Sequence, residues 1–144
     1  MHLVCPACSA TNRIATERLR DSPVCGKCGA ELMMAKPVDI SDAALPKFLA
    51  KTEVPVLVDF WAAWCGPCRA MAPQFEAAAT QAPEIRFVKV DSDAAPMASQ
   101  MYGIRSIPSL LLFHGGREIG RQSGTMSAAQ LLAWARSLLA KQSR

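Results

Sequence analysis

At 144 residues, 51% of them apolar and 19% charged, the chain has an ordinary soluble composition, with enough length for one good core and a small appendage. Its net charge of +4 is spread evenly and contains no basic run, which argues against nucleic acid as the main partner. No stretch reaches the roughly 18–20 apolar residues of a membrane span, and Met1–Cys5 offers neither a basic start nor an apolar signal region, so a cytoplasmic location with reduced thiols and no membrane attachment is expected.

Residues 1–35 form a first unit, with only a few large apolar side chains, Ile14, Leu19 and Val24 among them. So short a segment cannot hold itself together by a core, and a covalent or metallic staple is needed. Cys5/Cys8 and Cys25/Cys28 are two C-x-x-C pairs with sixteen residues between them, a zinc-ribbon spacing. Four thiolates suit one tetrahedral, closed and therefore structural zinc per chain, with Pro6 shaping the first turn and Gly26 and Gly29 suiting a second whose backbone N–H groups reach the sulfurs. Iron on the same four sulfurs remains open, two disulfides are disfavoured by the compartment, and neither pair starts a helix that would support redox chemistry. His2 reads as a disordered terminal residue and not as a ligand.

Residues 36–37 read as a linker, and the remainder, 38–144, alternates strands and helices. A short strand at 38–40 leads to a helix capped by Ser41 or Asp42 and running to about Lys51, with Pro46 either in its first turn or marking a later start. Pro55 opens a strand at 56–60, followed by a helix from Gly66 to about Gln81 with a kink expected at Pro73. A strand at 85–90 precedes a short helix capped by Asp93, with Pro96 in its first turn. The strand 109–113 turns at Gly115-Gly116 into a partner at 118–122. Ser127-Ala128-Ala129-Gln130 is a capping box for a last helix, in which Leu131, Trp134, Ala135, Leu138 and Leu139 recur at helical spacing. No internal repeat is evident. The order predicts an α/β fold: a mixed sheet with helices on both faces, preceded by the small ribbon.

The third pair, Cys65-Gly66-Pro67-Cys68, stands at the junction between strand 56–60 and the following helix. Gly66 tolerates the turn, and Pro67 is preset for the first helical position. Cys65 then lies at a helix N-terminus, where unpaired N–H groups and the dipole stabilise a thiolate. Cys68 is one turn away, near enough to close a disulfide. Asp59 belongs to the apolar run 56–61. If that strand is central the carboxyl is buried and its pKa raised; if Asp59 lies at a strand end it faces water.

Val58–Cys68, Ala72-Pro73, Tyr102–Ser109, Phe113–Gly116 and Ser123-Gly124 together resemble the thioredoxin family, in the expected order across about residues 38–140. With the four N-terminal cysteines, the whole chain is similar to the zinc-containing second type of that family. Ser106 and Arg69 depart mildly from its usual Gly and Lys. The resemblance implies a thioredoxin fold and a protein-disulfide reductase that serves cell redox homeostasis and the oxidative-stress response. An exposed Cys65 would attack a client disulfide, and a buried Cys68 would resolve the mixed disulfide. It also makes Asp59 the proton acceptor for Cys68, with Lys89 nearby in support. Pro108 would follow a cis bond beside the thiols, leaving the Ile107 backbone to pair with an extended client. Trp64, Gly66, Pro67, Gly124 and Thr125 would complete the docking rim, with Trp61 packing beneath it and Trp134 in helix core. The expected partners are an NADPH-dependent thioredoxin reductase and oxidised client proteins, and the expected state is monomeric. A second reading makes the ribbon a binding module that delivers the redox domain to a chosen protein or nucleic acid.

Overall fold

A computed structural model describes residues 1–142. The ribbon begins with two short antiparallel strands, β1 (His2–Val4) and β2 (Thr11–Arg13), followed by a single 3-10 turn at Thr16–Arg18. The rest contains β3 (Val38–Asp39), α1 (Leu45–Lys51), β4 (Val56–Trp61), α2 (Gly66–Gln81), β5 (Arg86–Asp91), α3 (Pro96–Met101), β6 (Ser109–His114), β7 (Arg117–Ser123) and α4 (Ala128–Gln142).

Strands β3 to β7 form one sheet in the order β3-β5-β4-β6-β7. β3, β5 and β4 run parallel, whereas β6 is antiparallel to β4 and β7 to β6. The mixed sheet expected from the element order is thus present. β4 lies at its centre, and residues 56–60 are buried on both sides because helices cover both faces. Val56, Val58 and Phe60 pack against α1 and α3, with Leu45, Phe48 and Ala98 among their neighbours. Leu57 faces α2 and α4, with Met71, Phe75, Leu131 and Ala135.

Local signals set most element ends. The α4 capping box closes in both directions, Gln130 N–H donating to Ser127 Oγ at 3.1 Å and Ser127 N–H to Gln130 Oε1 at 3.0 Å. Gly115 and Gly116 take φ of 62° and 79°, which gives the tight β6–β7 turn a twist that L-residues resist. Helix α2 continues through Pro73, which sits on its exposed side.

Two caps differ from expectation. Helix α3 has no side-chain cap from Asp93; the Asp42 carboxylate, distant in sequence, accepts from Met97 N–H at 3.0 Å and Ala98 N–H at 2.7 Å. Asp93 is occupied elsewhere, accepting from Trp64 Nε1 at 3.0 Å. Helix α1 is not capped by Ser41 or Asp42 and takes the later of the two starts that Pro46 allowed, at Leu45, because a turn fills 42–44 and Ser41 Oγ accepts from Ala44 N–H.

The ribbon is built into the rest of the molecule. Val4 is buried in the α1 and α3 core, while Val54, from the segment before β4, completes the ribbon's own cluster with Leu3, Cys5, Cys25 and Leu32. Glu53 N–H donates to His2 O at 2.9 Å, and Glu53 Oε1 accepts from His2 N–H at 2.5 Å and meets His2 Nδ1 at 2.9 Å. His2 is therefore an ordered strand residue, contrary to its reading as a disordered terminus. Arg86 is buried at the start of β5 and donates from Nη1 to Met34 O at 2.8 Å, tying residue 34 to the sheet.

Candidate redox site and metal centre

The C-terminal end of β4 carries the third cysteine pair to the start of α2. Cys65 is the N-cap of that helix in extended conformation, and Pro67 takes the first turn, as the Gly-Pro filler implies. Cys65 and Cys68 are joined by a disulfide across a Cα separation of 5.2 Å. Cys68 N–H points at Cys65 Sγ at 3.2 Å, so the helix N-terminus directs a free donor to that sulfur.

In this disulfide-bonded form both cysteines are buried as whole residues. Cys65 is 4% and Cys68 3% exposed. Ala62, Trp61 and Ile107 pack around both, and the Ile107 carbonyl oxygen lies 3.8 Å from Cys65 Sγ. The Ile107–Pro108 bond is cis, as the resemblance implied, and it places that carbonyl beside the thiol pair.

Asp59 stands opposite Lys89 in the β4–β5 register, two residues along from Leu57 and so on the α2 side of the sheet. It is 1% exposed, and its Oδ1 has no hydrogen-bond partner among the described residues. Burial pushes its carboxyl from the usual 3.8 up to about 7, while the Lys89 charge pulls the other way. Lys89 Nζ sits 4.6 Å from the centre of the Trp61 ring, a cation–π contact that keeps the cation at this end of the strand pair.

Trp64 is 69% exposed, its ring held by the Asp93 hydrogen bond. Gly66 and Pro67 are also exposed. Gly124, with φ of 93°, donates to Pro108 O at 2.9 Å, and Thr125 Oγ1 donates to Pro67 O at 3.4 Å. The residues expected to form a rim thus come from three loops that hydrogen bonds join to one another. Trp61 is half-buried beneath, and Trp134 packs against the α2–α4 core.

The four N-terminal cysteines are free thiols whose sulfurs all lie within 4.8 Å of one another. Cys5 and Cys28 Sγ are 3.6 Å apart, as are Cys8 and Cys25 Sγ. A tetrahedral ion with metal–sulfur bonds of about 2.3 Å needs sulfurs about 3.8 Å apart, so this donor set fits one such ion. The two turns share one plan: Cys5 N–H bonds to Ala10 O and Ser9 N–H to Cys5 O, and Cys25 N–H bonds to Ala30 O and Gly29 N–H to Cys25 O. Ser9 and Gly29 occupy equivalent positions with φ of 65° and 80°. This is a structural repeat that side-chain identity conceals.

N–H groups of Ala7 and Lys27 reach Cys5 and Cys25 Sγ at 3.4 Å. Gly26 does not serve a sulfur; its N–H goes to Asn12 Oδ1 at 2.9 Å, and Asn12 Nδ2 in turn donates to Cys25 Sγ at 3.4 Å. Asn12, followed by the backbone N–H groups of Cys28 and Lys27, draws the Cys25 thiol down to about 6, whereas burial pushes Cys5 up to about 11. Asn12 was missed in the sequence, and Asp93 was read as a helix cap and not as the partner of Trp64, because each acts on a residue more than ten positions away with no motif to mark the pairing.

Comparison with known proteins bears on both sites. A family model described as Thioredoxin matches residues 36–137, and a zinc-ribbon model described as Thioredoxin 2, N-terminal, matches residues 4–30. Thioredoxin C-3 of Corynebacterium nephridii is 39% identical over 134 residues, 93% of this chain and 92% of its own. Thioredoxin 1 of Nostoc sp. is 40% identical over 99 residues, 68% of this chain and 92% of its own. Among solved structures, a mutant thioredoxin from Halobacterium salinarum NRC-1 superimposes with a TM-score of 0.66 at 28% identity, covering 72% of this chain and 91% of that one.

Proposed function

Because the chain belongs to the thioredoxin family and carries its dithiol oxidoreductase centre, we propose that it reduces disulfides in client proteins as part of cytoplasmic redox homeostasis and the response to oxidative stress. The observation that carries this reading is the Cys65–Cys68 disulfide at the start of α2 with buried Asp59 on the same side of the sheet.

In the reduced protein, the Cys65 thiolate attacks one sulfur of a client disulfide. The client S–S bond breaks, one client sulfur leaves as a thiolate, and the other is bound to Cys65. Cys68 then passes its proton to the Asp59 carboxylate. A carboxyl with a pKa of about 7 is divided between its two forms near neutrality, so it can take the proton and return it to solvent. The Cys68 thiolate attacks Cys65 Sγ, expelling the second client thiolate and leaving the intramolecular disulfide. Two electrons from an NADPH-dependent reductase restore the dithiol. Lys89 supports the ionised form of Asp59 through its charge.

The four-cysteine site takes one zinc ion, which closes the ribbon and enters no redox step. Cys5, Cys8, Cys25 and Cys28 hold it; Asn12 and the Ala7 and Lys27 N–H groups orient and stabilise the thiolates. The interlocked cores favour the ribbon as a fixed part of the molecule over a mobile delivery arm. Reduction of insulin disulfides with NADPH and thioredoxin reductase, with and without residues 1–35, tests the reading. Absence of turnover by the full chain would sink it.

A further inference from the structure

The peptide unit that precedes the thiol-facing Ile107 carbonyl is tied down by serines. Ser109 is 6% exposed, and its Oγ donates to Ser106 O at 2.5 Å. Ser106 Oγ donates to Ser123 Oγ at 3.2 Å, and Ser123 is the β7 register partner of Ser109. Gly124 N–H fixes Pro108 O at 2.9 Å. These three bonds enclose Ile107, whose own carbonyl lies 3.8 Å from Cys65 Sγ.

The geometry of the peptide bond gives the brace its consequence. Ser106 C=O and Ile107 N–H belong to one planar unit and point in opposite directions. Holding Ser106 O with the Ser109 hydroxyl therefore fixes the direction of Ile107 N–H. That N–H has no partner among the described residues, although the residue is half-buried. A free backbone donor beside a reactive sulfur is suited to an extended peptide that adds its own carbonyl.

We propose that Ser109 is a positioning residue for client binding, fixing the Ser106–Ile107 peptide plane so that Ile107 N–H is preset to pair with the backbone of a protein disulfide substrate. Ser106 and Ser123 form a second, exposed tie that holds the same loop to the end of β7. The proposal rests on the disulfide-reductase reading, and it separates binding from chemistry. Small disulfides have no backbone to pair, so they do not sense the brace. Preorganisation of one donor sets the size of the effect, since a neutral hydrogen bond is worth about three- to tenfold in an equilibrium.

The test uses the full-length protein with its ribbon, comparing Ser109→Thr and Ser109→Val, which share a shape and differ by the hydroxyl, together with Ser109→Ala. Insulin reduction is followed with saturating reductase, and reaction of the reduced protein with 5,5'-dithiobis(2-nitrobenzoate) reports the thiols alone. The expected result is a KM for insulin raised about three- to tenfold in Val and Ala at unchanged kcat, restoration by Thr, and small-disulfide rates within about twofold throughout. An unchanged KM in Val, or a loss shared equally by insulin and the small disulfide, would overturn the proposal. A parent protein inert toward both substrates would overturn the reductase reading itself, and the proposal with it.

Discussion

Replacing Asp59 with Asn removes a charge that the fold buries at a measurable cost. A free carboxyl of this kind titrates at 3.8, and burial raises this one to about 7 against the opposing charge of Lys89. Such an acid holds its proton more tightly when folded than when unfolded. Below about pH 4 both states are protonated and burial of the ionised form costs nothing. Between about pH 4 and pH 7 the unfolded chain releases the proton first, so stability falls by up to about 1.4 kcal/mol per pH unit. Above pH 7 the accumulated loss levels off at on the order of 4 kcal/mol. Asn cannot ionise, so Asp59→Asn should match the parent near pH 4 and exceed it in stability at pH 8. The advantage should grow by about 2–3 kcal/mol between pH 5 and pH 8. Guanidinium unfolding of the oxidised proteins at several pH values, with zinc held constant, measures this. All other titrating groups are common to both proteins, so their difference isolates position 59. The same variant should release mixed disulfides more slowly in single-turnover experiments, because Cys68 has lost its proton acceptor. A stability difference that does not change from pH 5 to pH 8 would refute the burial argument. A destabilised variant with normal release would make Asp59 purely architectural.

Cys65→Ser should abolish disulfide reduction, whereas Cys68→Ser should accumulate mixed disulfides with clients, visible on non-reducing gels; trapping by the Cys65 variant instead would reverse the two roles. The full-length protein should carry one zinc per chain by elemental analysis, lost with Cys5→Ser or Cys25→Ser, and a stoichiometry of zero or two would exclude the assignment. Residues 38–144 should fold and reduce insulin without the ribbon, but at lower stability, because burying Val4 alone is worth roughly 1.5–3 kcal/mol to the α1 and α3 core; calorimetry showing equal stability would mean that the shared core contributes nothing. Asp42→Ala should cost about 1–3 kcal/mol by leaving the Met97 and Ala98 N–H groups without their acceptor, and hydrogen exchange in α3 should rise correspondingly.

What was legible in the sequence was local. Cys65-Gly66-Pro67-Cys68 specifies its own strand-to-helix junction, the paired N-terminal C-x-x-C turns announce one metal site, and Ser127 with Gln130 marks a helix start, since each feature spans only a few residues and acts on its own backbone. The apolar run at 56–60 likewise predicts a strand, although not by itself that Asp59 within it is buried; that follows from β4 lying between β5 and β6 with helices on both faces. Long-range pairing decided the rest. Asp42 rather than Asp93 supports α3, and Met34 O receives the buried Arg86 guanidinium. Val4 and Val54 are exchanged between two cores, and Ser109 and Ser123 come together only when β6 pairs with β7. Contacts between residues tens of positions apart leave no period or motif along the chain, because what selects them is the burial available once the sheet has formed. Short motifs therefore set the local turns and junctions of this protein, while the burial of Asp59 and the placement of Ile107 beside the cysteine pair arise from packing.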